Sequence, residues 1–357
     1  MHRRCGIAIL IAVVAALIAQ VCAAQQPQAP AQPPFTGTAR APLSPPTVEN
    51  VLLIGWDGVQ RHHLLELLMA GRLPNLRALI DEGSFETIGI SGHATDTKSG
   101  WTQILTGYDP DVTGVYSNRE YQPIPVGLSI FERAQQAFGR ENVFTMMVTG
   151  KAAHVGSIGK GEPVAAPQGQ PQVEQFGQPF NNTRKALDIW TGDKGREATE
   201  VGPNALSALE QAGGKRFLAF VHFSDPDHKG HAKGENSPEY EQAIVTCDEW
   251  LGKIAQWLKD KGLYEKTRIY VVTDHGFDEG LLSHRYAPRS WLATNDNGIT
   301  MGGHMHDIAA TLLVRMGVDI TNVAPAYPGQ ALVSAEPYVR QPGAAAARRA
   351  QRQRRAQ

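Results

Sequence analysis

Three apolar runs of this chain lead into side chains that bind divalent metal ions. Val51-Leu-Leu-Ile-Gly-Trp reaches Asp57, Phe217–Phe223 leads on to Asp227 and His231, and Ile269-Tyr-Val-Val-Thr reaches Asp274 and His275. Taken singly, an aspartate after a strand is ordinarily a helix cap or a turn residue. Taken together, carboxylate oxygens and imidazole nitrogens form the donor set of zinc, which can leave a coordination position open for catalysis. In an open parallel sheet such groups gather beyond the carboxyl ends of the strands, so residues far apart in sequence would converge in space.

The elements that must position these residues can be read from periodicity. Short apolar runs at Val51–Gly55, Val143–Val148, Phe217–Phe223, Ile269–Thr273 and Ser290–Thr294 predict strands. Helical patterns are expected at Leu64–Glu82, Ser99–Thr106, Ser237–Lys261 and Asp307–Met316. Their alternation, with no repeat period, predicts an α/β domain built on a mostly parallel sheet. Gly159–Asn182, dense in Gly, Pro and Gln, breaks the rhythm and is too long for an ordinary connection.

The ends of the chain differ from its middle. Basic Met1-His-Arg-Arg4, an apolar stretch from Ile7 to Val21 and small residues at Cys22-Ala-Ala24 predict a signal peptide over residues 1–24. The stretch is short for a membrane span and leads into Gln/Pro-rich sequence, so no stable membrane insertion is expected after cleavage. Residues 25–48 read as a linker and 338–357 as a disordered basic tail around a catalytic domain at 49–337. Signal removal takes Cys5 and Cys22, leaving Cys247 without an intramolecular partner in an amphipathic helical pattern, where a buried structural thiol is expected. The formal charge of -1 provides no global field for nucleic acid, which is not expected as a partner.

The motifs resemble the alkaline phosphatase superfamily, and particularly its nucleotide pyrophosphatase/phosphodiesterase branch. The residues that carry the resemblance are Asp57-Gly58, Leu73-Pro-Asn-Leu76, Thr97 to Thr106-Gly107, Asp227-His-Lys-Gly-His231 and Asp274-His275-Gly276. It implies an alkaline-phosphatase-like three-layer α/β/α sandwich and two divalent metal ions, zinc on the chemistry of the donors. Thr97, nine residues before Thr106, stands where the family has its nucleophile. Physically the position suits a phosphoryl anion, because helix-terminal N–H groups face it and a metal ion can lower the hydroxyl pKa. By carry-over, Asp57, Thr97, Asp274 and His275 surround one ion, while Asp227, His231 and a third histidine surround the other. Asn118, eight residues beyond Pro110, matches the asparagine that hydrogen-bonds a phosphate oxygen.

Two positions are less determined. Thr149-Gly-Lys151-Ala-Ala-His154 resembles a sulfatase segment with one extra residue, which lets Lys151 contact a substrate oxyanion and leaves the register of His154 open. For the third metal histidine, His284 is preferred over His304 and His306, because it follows the Asp-His-Gly turn and precedes the strand at Ser290–Thr294. His304 and His306 could merely flank an Asp307 cap. The other histidines, His62, His63, His93, His222 and His228, read as surface or satisfied core residues.

The resemblance implies a hydrolase of small-molecule phosphate mono- or diesters, and the expected signal peptide makes it an exported, periplasmic or secreted one. A sulfatase or phosphonate hydrolase of the same fold is an alternative, although Thr97 cannot be converted to formylglycine. A non-catalytic periplasmic protein binding metal or oxyanion, and a transferase passing the phosphoryl group to an alcohol, are the others.

Overall fold

The computed structural model describes residues 48–156, 177–192, 197–287 and 289–333. The expected signal peptide, nearly all of the linker, most of Gly159–Asn182 and the basic tail lie outside these residues. No described helix is long and apolar enough to cross a membrane.

Eight strands form one sheet: β1 (Asn50–Trp56), β2 (Ser84–Gly89), β3 (Val143–Thr149), β4 (Ile189–Thr191), β5 (Arg216–Phe223), β6 (Thr267–Val272), β7 (Arg289–Thr294) and β8 (Gly303–His304), in the order β4-β3-β5-β1-β6-β7-β2-β8. The pairings β1–β5, β1–β6, β3–β5, β3–β4 and β2–β8 are parallel, and only β7 runs antiparallel to its neighbours β6 and β2. The sheet is therefore mostly parallel, as its apolar strands predict.

Side-chain alternation on β1 separates two cores. Leu52, Ile54 and Trp56 face one side, packed beneath helices Arg61–Met69, Pro74–Glu82, Ala198–Glu210 and Pro238–Asp260. Val51 and Leu53 face the other, beneath Thr97–Thr106, Ile130–Phe138 and Met305–Met316. Two apolar sheet faces, each covered by helices, give the three-layer α/β/α sandwich.

Most local expectations carry through with shifted ends. The helix expected at Ser99–Thr106 begins at Thr97. The one expected over Leu64–Glu82 is instead two, Arg61–Met69 and Pro74–Glu82. Pro74 is the cause: it lacks an N–H, interrupts the helical ladder and serves as an N-terminal residue of the second helix. In Pro238–Asp260, Tyr240, Ile244, Cys247, Leu251, Ile254 and Leu258 are buried at helical spacing, opened by Ser237 accepting from the Tyr240 N–H. Cys247 is a buried free thiol whose pKa burial pushes up, consistent with a structural role.

The helix Thr97–Thr106 is wholly buried, polar residues included. It lies so close to the end of β6 that a Cβ on Gly100 would stand 2.9 Å from both the Cβ and the carbonyl oxygen of Asp274. Gly100→Ala should therefore cost about 1–3 kcal/mol as an overpacking change. Denaturant titration checks this, and a loss below about 0.5 kcal/mol, the range of ordinary surface substitutions, would show that the helix has room to move.

Candidate metal centre

The carboxyl ends of β1, β3, β5 and β6 meet above the N-terminus of Thr97–Thr106. Asp57 follows β1, and Asp274-His275 stand just beyond β6. After β5 the chain turns into the helix Asp225–Lys233, with Asp227 in its first turn and His231 one turn later on the same face. Lys151 follows β3. Gly58 permits the crowding: its φ is +69°, and a Cβ there would sit 2.9 Å from the Asp227 Cβ.

Two sets of three donors result. Asp57, Asp274 and His275 are fully buried, while in the set Asp227, His231 and His284 the carboxylate is buried and the two histidines line an open cleft; within each set the ligand atoms lie within 4.8 Å of one another. The loop after the Asp-His-Gly turn brings in His284, whose ring stacks on His275 with centroids 3.9 Å apart. His304 and His306 lie elsewhere. The Nδ1 of His304 is 3.4 Å from the Ser91 Oγ and that of His306 is 3.2 Å from an Asp109 oxygen, while Asp307 accepts from the His304 backbone N–H as a cap.

The tautomers follow from the acceptors. The Nδ1 atoms of His231, His275 and His284 approach the backbone carbonyls of Leu282 at 2.8 Å, Gly276 at 3.0 Å and Thr95 at 2.6 Å. A carbonyl only accepts, so each Nδ1 carries the proton. In a neutral ring Nε2 is then a lone pair. The His231 and His284 lone pairs face each other at 3.1 Å, and the His275 Nε2 stands 3.4 Å from the Thr97 Oγ1 and 3.7 Å from an Asp57 oxygen. Opposed lone pairs repel unless a proton or a metal ion lies between them. Asp227 Oδ1 and Asp274 Oδ2 are also buried without a hydrogen-bond donor among the described residues. Orphaned carboxylate oxygens beside converging imidazoles fit a divalent cation with N/O ligands.

The electrostatics are those of crowded acids around one cation. The Lys151 Nζ lies 3.3 Å from both Asp57 oxygens and 3.1 Å from the Thr97 Oγ1, and it also donates to Asp227. Burial raises the Asp57 pKa, but Lys151 and His222 outweigh it and hold the carboxyl at about 2. Asp274, farther from the ammonium, is raised well above its usual range by burial and by the Asp57 charge. Burial, reinforced by His284, lowers His275 to about 4 and keeps it neutral near pH 7.

Asn118 lies across the helix N-terminus. Its Oδ1 accepts from the Lys98 backbone N–H at 2.9 Å, and its own N–H donates to Asp96. The side-chain Nδ2 has no acceptor among the described residues and is left as a donor. The residue lines a cleft of about 380 Å³ with Asp96, Arg119, His231, His284 and Arg285. His154 is half-buried, and burial and then Lys151 lower its pKa to about 4.

Sequence reasoning gave His222 no part in the site. It is a satisfied core residue, as read, but its partner is Asp57, whose Oδ2 lies 2.9 Å from the His222 Nε2. A lone polar side chain within the apolar run of β5 was the available signal.

Residues 51–345 match the model of the type I phosphodiesterase / nucleotide pyrophosphatase family, and the chain belongs to that family. Among curated proteins it is 25% identical over 206 residues to GPI ethanolamine phosphate transferase 1 of Emericella nidulans, covering 55% of this chain and 20% of that protein. It is 24% identical over 245 residues to an uncharacterised pyrophosphatase/phosphodiesterase of Schizosaccharomyces pombe, covering 64% of this chain and 44% of that one. The chain thus spans less than half the length of these relatives. The fold is shared with the alkaline phosphatase of the Antarctic bacterium TAB5, at a TM-score of 0.51 and 15% identity, over 77% of this chain and 99% of that one.

The two donor sets separate the three candidate histidines experimentally. His284→Ala should lose about one equivalent of bound zinc, measured by elemental analysis after dialysis, whereas His304→Ala and His306→Ala should retain the parent's content. Full zinc content in the His284 variant would remove it from the site.

Proposed function

We propose that this family member is an exported hydrolase of phosphate mono- or diesters that uses Thr97 as nucleophile between two zinc ions. Asp57, Asp274, His275 and Thr97 would hold one ion, and Asp227, His231 and His284 the other. The observation that carries the reading is the set of three imidazoles, each tied by Nδ1 to a backbone carbonyl and turning Nε2 towards buried carboxylates. When bound, the metal ions supply Lewis-acid charge that lowers the nucleophile's pKa and clamps the oxygens of an in-line displacement.

The chain's own residues account for the rest. Thr97 is in the first turn of a buried helix, where the helix dipole favours an arriving phosphoryl anion. Lys151 donates to the Thr97 Oγ1 and favours its alkoxide. Attack forms the Thr97 Oγ–phosphorus bond as the bond to the leaving oxygen breaks. Water then releases phosphate, or a phosphomonoester from a diester, and restores the hydroxyl. The Asn118 Nδ2 is available to stabilise charge developing on a non-bridging oxygen. Export rests on the sequence of residues 1–24, and amino-terminal sequencing of the protein recovered outside the cytoplasm tests it.

A second reading is transfer of the phosphoryl group to an alcohol, which the name of the Emericella relative favours. Product analysis with an added alcohol distinguishes transfer from hydrolysis. Rates of the zinc-loaded protein on matched nitrophenyl phosphate, phosphodiester, phosphonate and sulfate esters define the reaction class.

Thr97→Ala should abolish phosphate-ester turnover while retaining bound zinc, since most ligands lie elsewhere. Equal rates for variant and parent would remove the covalent step. Asn118→Ala should lower kcat by roughly 10²-fold, the loss typical of one oxyanion donor, with metal content unchanged. An unaffected kcat would reduce Asn118 to its contact with the Lys98 N–H.

A further inference from the structure

We propose that His222 is a positioning residue that fixes the carboxylate of Asp57, with Thr149 setting its tautomer; this rests on the reading of Asp57 as a metal ligand. His222 is completely buried on β5, and its ring meets Trp101 edge-on with centroids 5.1 Å apart. Its Nε2 lies 2.9 Å from Asp57 Oδ2 and its Nδ1 lies 3.3 Å from the Thr149 Oγ1.

The direction of these bonds can be deduced. The Thr149 Oγ1 already accepts from the Lys151 backbone N–H at 3.1 Å, so its own hydrogen is free to be donated. An ionised carboxylate can only accept. A neutral His222 with its proton on Nδ1 would set a lone pair against Asp57. The satisfied arrangement therefore has Thr149 donating to Nδ1 and Nε2–H donating to Asp57 Oδ2.

Asp57 Oδ2 is thereby held on the β5 side, while Oδ1 stands 3.7 Å from the His275 Nε2, and the Lys151 Nζ lies 3.3 Å from both oxygens. The same Thr149 hydroxyl receives the Lys151 N–H, so one short network sets both the carboxylate and the turn from which the lysine extends. A group that orients a ligating carboxylate acts through metal affinity, which a residue serving only to fill the core would not change selectively.

The test uses His222→Phe, which keeps a ring without the donor, and His222→Gln, whose amide can place an N–H near Nε2. Zinc dissociation constants come from competition with a chromophoric chelator, site geometry from the absorption of the cobalt-loaded protein, and metal-free stability from thermal melts. His222→Phe should weaken binding of one of the two ions by about 10–100-fold and change the cobalt spectrum, whereas His222→Gln should recover most of the affinity. Parent-like affinity and spectrum in His222→Phe would overturn the proposal. Equal losses in both variants, with matched falls in melting temperature, would overturn it in favour of a packing role. Nitrogen-15 shifts of His222 in the metal-free parent give an answer even if His222→Phe fails to fold. An Nε2–H tautomer is expected, and an Nδ1–H tautomer would refute the network. A parent that binds neither zinc nor cobalt defeats the metal reading itself, and with it this role for His222.

Discussion

Mutual repulsion among Asp57, Asp227 and Asp274 is the constraint around which the structure is organised. All three carboxyls are buried, and ligand atoms of Asp57 and Asp274 lie within 4.8 Å of each other. At an effective dielectric of about 20, two unit charges some 4 Å apart cost about 4 kcal/mol, comparable with a large part of a domain's net stability. Positive charge is required among them. Lys151 supplies one unit and lowers Asp57, while burial and the Asp57 charge raise Asp274. The orphaned oxygens of Asp227 and Asp274 mark where further positive charge fits.

The scaffold tolerates this stress because the crowded groups sit at strand ends, held by backbone rather than by long side chains. β1 is hydrogen-bonded to both β5 and β6, so the residues that follow these strands start from a fixed register. Gly58 and Gly100 remove the side chains that would otherwise keep Asp227 and Asp274 away from their neighbours. Carbonyls of Leu282, Gly276 and Thr95 then orient the three imidazoles, so ring direction follows from backbone placement.

The site joins features that the sequence associates with different branches of one superfamily. Its histidine-bearing donor sets and Thr97 resemble the phosphodiesterase branch, whereas the segment around Lys151 resembles sulfatases. In the structure the lysine reaches both Thr97 and two of the candidate ligands, Asp57 and Asp227. With ions in the proposed sites, its ammonium would bear on metal occupancy as well as on a bound oxyanion, and a monoester dianion would gain more from such a charge than a diester monoanion.

What the sequence determined by itself was β1, β3, β5, β6 and β7 and the kinds of side chain that follow β1, β5 and β6, whereas β2, β4 and β8 were not read. Apolar β-rich runs followed by Asp or His are local patterns, and the alternation of strands with helices along the chain is enough to assign a mostly parallel sheet, while the three-layer sandwich was implied by the family resemblance. Leu64–Glu82 was read as one helix and is two, although the signal, Pro74, was local. What tertiary structure decided was which groups share a point in space. His284 and His304 are both histidines near short strands, yet only the loop after the Asp-His-Gly turn folds back over His231, while the neighbouring β8 carries His304 towards Ser91. His222 is a core residue by every local measure, and its meaning comes from β1 lying beside β5 in a register that pairs Gly55 with His222, two residues before Asp57. Composition and periodicity report on neighbours along the chain; contacts across 165 residues, as between Asp57 and His222, depend on strand order and register, which no local pattern encodes.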